Sequence, residues 1–220
     1  VTLHNPTQDE LDYTVCFSLN NMAAPTAENR RELIGGYEGI FLGQLGEDKD
    51  SPNYGNLALV CMEPVGSFQE NWFRGAWFDS LTVFWKEFTA PGRLKNRRYE
   101  EASQTKFIDR MRGEDMCSLA AHVRLAPGER RAVRFVMAWS FPNYQNDWNP
   151  IPDSDPIRDN TWKNYYATVF EDSRATAVYC LREWERLERD TRAFHRALSS
   201  STLPEKALEA VSNTLSVLHS

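Results

Sequence analysis

The sequence predicts a mainly β chain: an antiparallel β-sandwich-type domain followed by a helical extension. Two observations carry this reading. Leu11, Tyr13, Val15, Phe17 and Leu19 alternate with Asp12, Thr14, Cys16 and Ser18, the period of two expected of a strand with one buried face. Further runs of that kind are separated by short turns, and from residue 171 onward the apolar period changes to that of a helix.

Strands are expected next at 37–43 and 56–62. The second is apolar on both faces through Leu57, Ala58, Leu59, Val60 and Cys61, so it belongs at the centre of a sheet. Residues 77–88 depart from alternation. Trp77, Leu81, Phe84, Trp85 and Phe88 recur at three- and four-residue spacings and Pro91-Gly92 ends the run, which reads as a short helix. Residues 117–125 and 131–140 read as a hairpin around the turn Ala126-Pro127-Gly128-Glu129. On the returning strand Val133, Phe135, Met137 and Trp139 share a face, which alternation turns inward. Residues 142–160 are rich in Pro, Asn and Asp and read as a loop.

Ala177, Leu181, Trp184, Leu187, Thr191, Phe194 and Leu198 then mark one helix over 171–199. Thr202-Leu203-Pro204-Glu205 has the form of a capping box with Pro in the first turn, and Leu208, Val211, Leu215 and Leu218 stripe the helix that follows. Little chain follows that stripe, so the sequence reads as the front part of a larger protein.

Composition narrows the class. Hydrophobic residues are 41% and aromatics 12%, enough for a sizeable core, and the net charge of −6 argues against a nucleic-acid surface. The clusters Arg93-Lys95-Arg97-Arg98 and Arg130-Arg131-Arg134 read as solvated faces. Cys16, Cys61, Cys117 and Cys180 lie far apart, without metal-ligand spacing, and no apolar run reaches membrane-spanning length. These features suggest a reduced, cytoplasmic setting.

Catalytic signatures are sparse. His4, His122, His195 and His219 have no second His or Cys at ligand spacing. Glu47-Asp48-Lys49-Asp50 and Asp153-Ser154-Asp155 with Asp159 are acidic loops without the pattern of a calcium loop. No carboxylate pair stands out by an apolar setting. Residue chemistry thus assigns no catalytic and no metal-binding position. Trp72, Trp77 and Trp148 are candidates for stacking on a sugar, with Trp72 and Trp148 retained as weak ligand-binding candidates.

Several runs in order resemble glycoside hydrolase family 116. They are Gly-Ala-Trp-Phe-Asp at 75–79, Leu-Ala-Pro-Gly-Glu at 125–129, Val-Arg-Phe-Val-Met-Ala-Trp-Ser-Phe-Pro-Asn at 133–143, Asn-Tyr-Tyr-Ala-Thr-Val-Phe at 164–170 and Ser-Ser-Thr-Leu-Pro at 200–204. This is the family of the non-lysosomal glucosylceramidase, or bile-acid β-glucosidase, and its bacterial relatives. The resemblance implies an N-terminal β-sandwich-type domain over 1–165, lacking its own start, a connecting helix over 166–200, and at 201–220 the first helix of an (α/α)6 catalytic barrel that is otherwise absent. It also implies retaining hydrolysis of β-glucosides such as glucosylceramide, by two carboxylates about 5 Å apart, without a cofactor. Neither the family's nucleophile motif nor its acid/base appears in this sequence, so no catalytic residue carries over and this chain alone is expected to be inactive. The implied partners are the β-glucoside, bound through the missing catalytic domain, and the barrel itself, against which 171–220 would pack. Peripheral membrane contact is implied if the substrate is a glycolipid; nucleic acid is not. Two rival readings are a free carbohydrate-binding sandwich and an interaction module with a helical docking tail.

Overall fold

The computed structural model describes residues 1–22, 27–75, 79–89, 92–99, 115–152, 155 and 160–215. Two antiparallel sheets dominate it. Strands β2 (Leu11–Asn20), β6 (Val65–Gln69) and β7 (Met116–Leu125) form one in the order β2-β7-β6. Strands β3 (Ala27–Ile34), β4 (Tyr37–Gln44), β5 (Asn56–Cys61) and β9 (Phe135–Ser140) form the other in the order β3-β4-β5-β9. Two short ribbons accompany them: β1 (Thr2–His4) with β8 (Arg130–Ala132), and β10 (Asn143–Gln145) with β11 (Thr161–Lys163).

The sheets face each other through alternate residues. Ile40, Leu42, Leu57, Leu59 and Cys61 meet Cys117, Leu119, Ala121 and Val123 in one buried cluster, as expected of a sandwich. Each fully buried Leu or Ile here contributes about 1.5–3 kcal/mol. All six residues of β5 are buried, which matches its two-faced apolar sequence. The β3–β4 hairpin closes through Gly35-Gly36, with φ of 61° and 87°. Two consecutive left-handed residues are what a two-residue primed turn requires.

Both outer faces are covered as well. Beneath the three-stranded sheet, Trp72, Phe84 and Leu94 pack on Ala120, with Cys16, Phe88 and Met116 around them. Phe84 comes from helix α1 (Asp79–Thr89). This cover explains why Cys16 and Ala120 oppose each other in the middle of the second face of β2 and β7, while the charged pair Asp12 and Arg124 stands at its exposed end. Beyond the four-stranded sheet, α2 (Tyr166–Val169) leads into α3 (Ser173–Arg182). Asp172 caps α3, its Oδ1 accepting from the Arg174 and Ala175 amides at 2.8 and 3.1 Å. The Ser173 amide donates to Asn56 Oδ1 at 2.9 Å, the Arg174 guanidinium lies 4.3 Å from the Phe41 ring centre, and Ala177 is fully buried. These contacts lay α3 along the outer face that carries Phe41, Ala58 and Val136.

The structure corrects four expectations. Residues 117–125 and 131–140 are not a hairpin. The turn is present, with the Glu129 amide donating to the Ala126 carbonyl at 3.0 Å, but β7 already pairs with β2 on one side and β6 on the other. The chain therefore passes through β8, which pairs with β1, and joins β5 in the opposite sheet as β9. Trp139 does share a face with the core, since its partner is Leu57. Yet β9 is an edge strand that the three-stranded sheet does not cover, so Met137 is 43% and Trp139 54% exposed. The 171–199 helix is interrupted at Glu183, with φ −96° and ψ 11°, and resumes as α4 (Trp184–Ser199). The last described helix, α5 (Glu205–Thr214), has Pro204 at its N-cap and no side-chain cap, so Thr202 does not form the capping box. Trp77 and Leu218 lie outside the described residues.

The chain divides into two compact units between Leu181 and Arg182. The second contains α4 and α5, neither of which buries a residue. α4 carries exposed ion pairs at helical spacing, among them Glu188 with Arg192 at 2.7 Å and Arg186 with Asp190 at 3.5 Å, which stabilise it by only a few tenths of a kcal/mol each.

The difference between core and edge is measurable. Leu59→Ala is expected to cost about 2–5 kcal/mol and Trp139→Ala about 1 kcal/mol or less. Urea denaturation of the two variants checks this, and similar losses would show that Trp139 is part of the core.

Candidate functional site

Buried polar groups gather where β6 ends, around Glu70, Asn29, Asn21 and Asp115. Glu70 follows β6 directly, with a side chain only 2% accessible. Its carboxylate accepts from the Arg98 guanidinium at 2.5 and 3.1 Å, from Asn96 Nδ2 at 2.9 Å and from the Arg31 amide of β3 at 2.8 Å. Beside it, buried Asn29 donates Nδ2 to the carbonyls of Glu70 and Asp115, and accepts from Asn21 Nδ2 at 2.9 Å. Arg74 pairs with Asp115 at 3.5 Å and lies over Tyr99. A cleft of about 340 Å³ opens here, lined by Arg30, Arg31, Arg74, Arg98, Glu70 and Tyr99.

Burial by itself pushes the Glu70 carboxyl up, but the Arg98 pair, the Arg31 amide and Asn96 outweigh it and hold the group below its ordinary range. Asp172 is also pushed up by burial and pulled further down by Arg174 and the helix amides. Exposed Asp12 and half-buried Glu129 and Glu183 shift downward too, through Arg124, the Ala126 amide and Arg186 respectively. These five carboxyls all shift toward the ionised form. Such groups accept hydrogen bonds and neutralise arginines; a glycosidase acid needs the opposite shift.

A second polar group lies under the three-stranded sheet. His122 Nδ1 is 2.8 Å from Thr14 Oγ1 and its Nε2 is 3.0 Å from Ser67 Oγ, so one imidazole joins β2, β7 and β6. Burial, followed by the nearby Arg93 charge, lowers its pKa and favours the neutral ring. β6 makes room for it with a bulge between Val65 and Ser67. A Cβ on Gly66 would lie 1.8 Å from His122 Cδ2, so only glycine fits there. His122 is therefore a strand tie. His4 and His195 are exposed and His219 lies outside the described residues.

The tryptophan candidates separate clearly. Trp72 is 5% exposed, stacks on Phe84 at 4.3 Å and donates Nε1–H to Ser118 at 2.7 Å. It offers no open ring face, which corrects its reading as a sugar platform. Trp148 is 95% exposed. An exposed aromatic pair that the sequence does not announce, Tyr144 with Trp162, lies on β10 and β11 with ring centres 5.2 Å apart. Residues 142–160 look like loop, and only the pairing of strands a whole loop apart reveals it. In the first acidic loop Asp48 Oδ1 accepts the Asp50 amide at 3.0 Å, and Asp50 pairs with Lys163 at 3.4 Å. Of the second, Asp153, Ser154 and Asp159 lie outside the described residues. Among the described residues no cluster of three metal-ligating side chains occurs, and no helix is long and apolar enough to cross a membrane. The basic cluster at 93–98 is not simply a solvated face: Arg97 pairs with Glu87 and Arg98 with Glu70.

A family model described as beta-glucosidase 2, glycosyl-hydrolase family 116 N-term, matches residues 1–187. No curated protein matches.

The Glu70 hub has a definite pH signature. A carboxyl held below its ordinary pKa contributes stability that is fully present above that ordinary value and is lost as pH falls through the depressed one. Glu70→Gln is expected to cost about 1–3 kcal/mol at neutral pH, and the gap from the unsubstituted chain should narrow as acid protonates Glu70. Chemical denaturation between neutral and strongly acidic pH checks this; a gap constant with pH would show that the carboxylate charge contributes nothing.

Proposed function

The chain belongs to the N-terminal domain family of glycosyl hydrolase family 116, and from that premise we propose that it is the non-catalytic sandwich of a retaining β-glucosidase. The observation that carries the reading is the family match over residues 1–187. The downward shifts of Glu70 and Asp172 accord with it, because protonating a glycosidic oxygen takes an acid with a raised pKa. In this proposal both reacting carboxylates belong to a separate catalytic domain. The sandwich gives that domain a rigid neighbour, and the helices after residue 182 lead toward it. The substrate class is a β-glucoside such as glucosylceramide, the same chemistry serving a lipid, a bile acid or a simple alkyl or aryl group as aglycone.

The described helices fit a connecting role. α4 and α5 carry Leu187, Phe194, Leu198, Leu208 and Val211 without burying any of them. A helix with an apolar stripe and no buried residue gains most of its stability from a further packing partner. In the proposal that partner is the helical catalytic domain.

Incubating this chain, and a longer form that carries the catalytic domain, with an aryl β-glucoside tests the assignment. The expected outcome is turnover by the longer form and none by residues 1–220. Turnover by the shorter chain that disappears on replacing one of its own carboxylates would place the chemistry in the sandwich and overturn the proposal.

A further inference from the structure

The β10–β11 ribbon holds two aromatic rings in solvent on a backbone that is fixed from behind. Tyr144 and Trp162 are direct cross-strand partners, 46% and 47% exposed, with ring planes 35° from parallel. The residues that alternate with them face the other way. Asn143 is buried and donates Nδ2 to the carbonyls of Lys49 and Ser51, each at 2.8 Å. Lys163 pairs with Asp50, and the Asn164 amide group donates to the Phe141 carbonyl at 3.0 Å. Beyond the strands, the Asn146 amide donates to the Asn160 carbonyl at 2.8 Å. The rings are thus presented by an anchored ribbon, which lowers the ordering cost of binding anything to them.

Size and surroundings decide the occupant. A stable protein interface covers about 800 Å² on each partner, whereas one Tyr or Trp buries about 150–250 Å² at most. Two rings, each already half covered, fall well short of that. The next residues of the same alternation, Asn146 after Tyr144 and Asn160 before Trp162, are polar rather than aliphatic. A small, uncharged ligand with an apolar flat face and a polar edge fits this surface. A β-linked glucopyranose has that shape. All its ring substituents are equatorial, so both faces present axial C–H bonds to an aromatic ring while the hydroxyls project toward the rim. We propose that Tyr144 and Trp162 form a stacking platform for a β-glucosyl unit, outside the reacting centre. The choice of the β anomer rests on the β-glucosidase reading; the platform itself does not.

Titration of the 220-residue chain with cellobiose, and in parallel with sorbitol, tests this by the indole N–H resonances of its seven tryptophans. The Trp162 signal, assigned by its loss in Trp162→Phe, is expected to move and saturate with a dissociation constant on the order of millimolar. Sorbitol, which has hydroxyls but no ring face, is expected to leave it in place. Tyr144→Ala is expected to weaken the response at least about threefold, with the other indole signals unmoved as proof of an intact fold. A silent Trp162, an equal response to sorbitol, or a shift that follows protein concentration without sugar would each overturn the platform. Cellobiose binding here together with a longer form that fails to hydrolyse β-glucosides would remove the enzymatic reading and leave the platform standing. Hydrolysis with a silent Trp162 would do the reverse.

Discussion

The two sheets are held in register at one end by a single carboxylate. Glu70 leaves the end of β6 in the three-stranded sheet and accepts the Arg31 amide of β3, the edge strand of the other sheet, at 2.8 Å. Asn29 on the same edge strand closes the arrangement by donating to the Glu70 and Asp115 carbonyls. Apolar packing between sheets is nearly indifferent to small slides, because one aliphatic contact replaces another. A buried carboxylate that must find an amide, an Asn and a guanidinium is not, since leaving any of them unmet costs about 1–3 kcal/mol. The apolar cluster supplies most of the driving force, while the polar hub selects one alignment from several that would bury similar area.

How much was legible in the sequence follows from this division. The strands that build the apolar core, β2, β4, β5 and β7, announce themselves by period or by a two-faced apolar run. Edge strand β3 does not. Its Ala-Glu-Asn-Arg-Arg-Glu-Leu-Ile sequence buries Asn29, and the Glu70 and Asp115 carbonyls that accept from it, like the Glu70 carboxylate that accepts the Arg31 amide, lie 39 to 86 positions away. Local pattern cannot register a long-range hydrogen bond. The same limit misplaced β9: period two gave the face of Trp139 correctly, but whether that face is covered depends on strand order. The hairpin expected at 126–129 failed for a related reason, because a good turn does not reveal whether the strand before it already has two neighbours.

Site reading followed a similar course. Residue types alone point to no catalytic position, and the fold holds Glu70 and Asp172 toward ionisation. Trp72 and Trp148 look alike in sequence, yet one is clasped between Phe84 and Ser118 and the other stands in water. What separates them is context at a distance of 46 residues, from Trp72 to Ser118. Tyr144 and Trp162 became a candidate only because a segment that reads as a loop returns to pair with itself.

The seating of α3 bears on how proteins of this kind are assembled in evolution. The helix follows every described strand, yet Ser173, Arg174 and Ala177 bind it to the sheet, Asp172 caps it, and the compact unit ends within its last turn, at Leu181. The family match ends close by, at residue 187. A gene rearrangement that broke the chain just after the last strand would leave Phe41 and Ala58 facing water, with the product prone to aggregate. A break a few residues beyond α3 would transfer a module whose apolar faces travel with it. The heritable piece is thus the sandwich together with its helix.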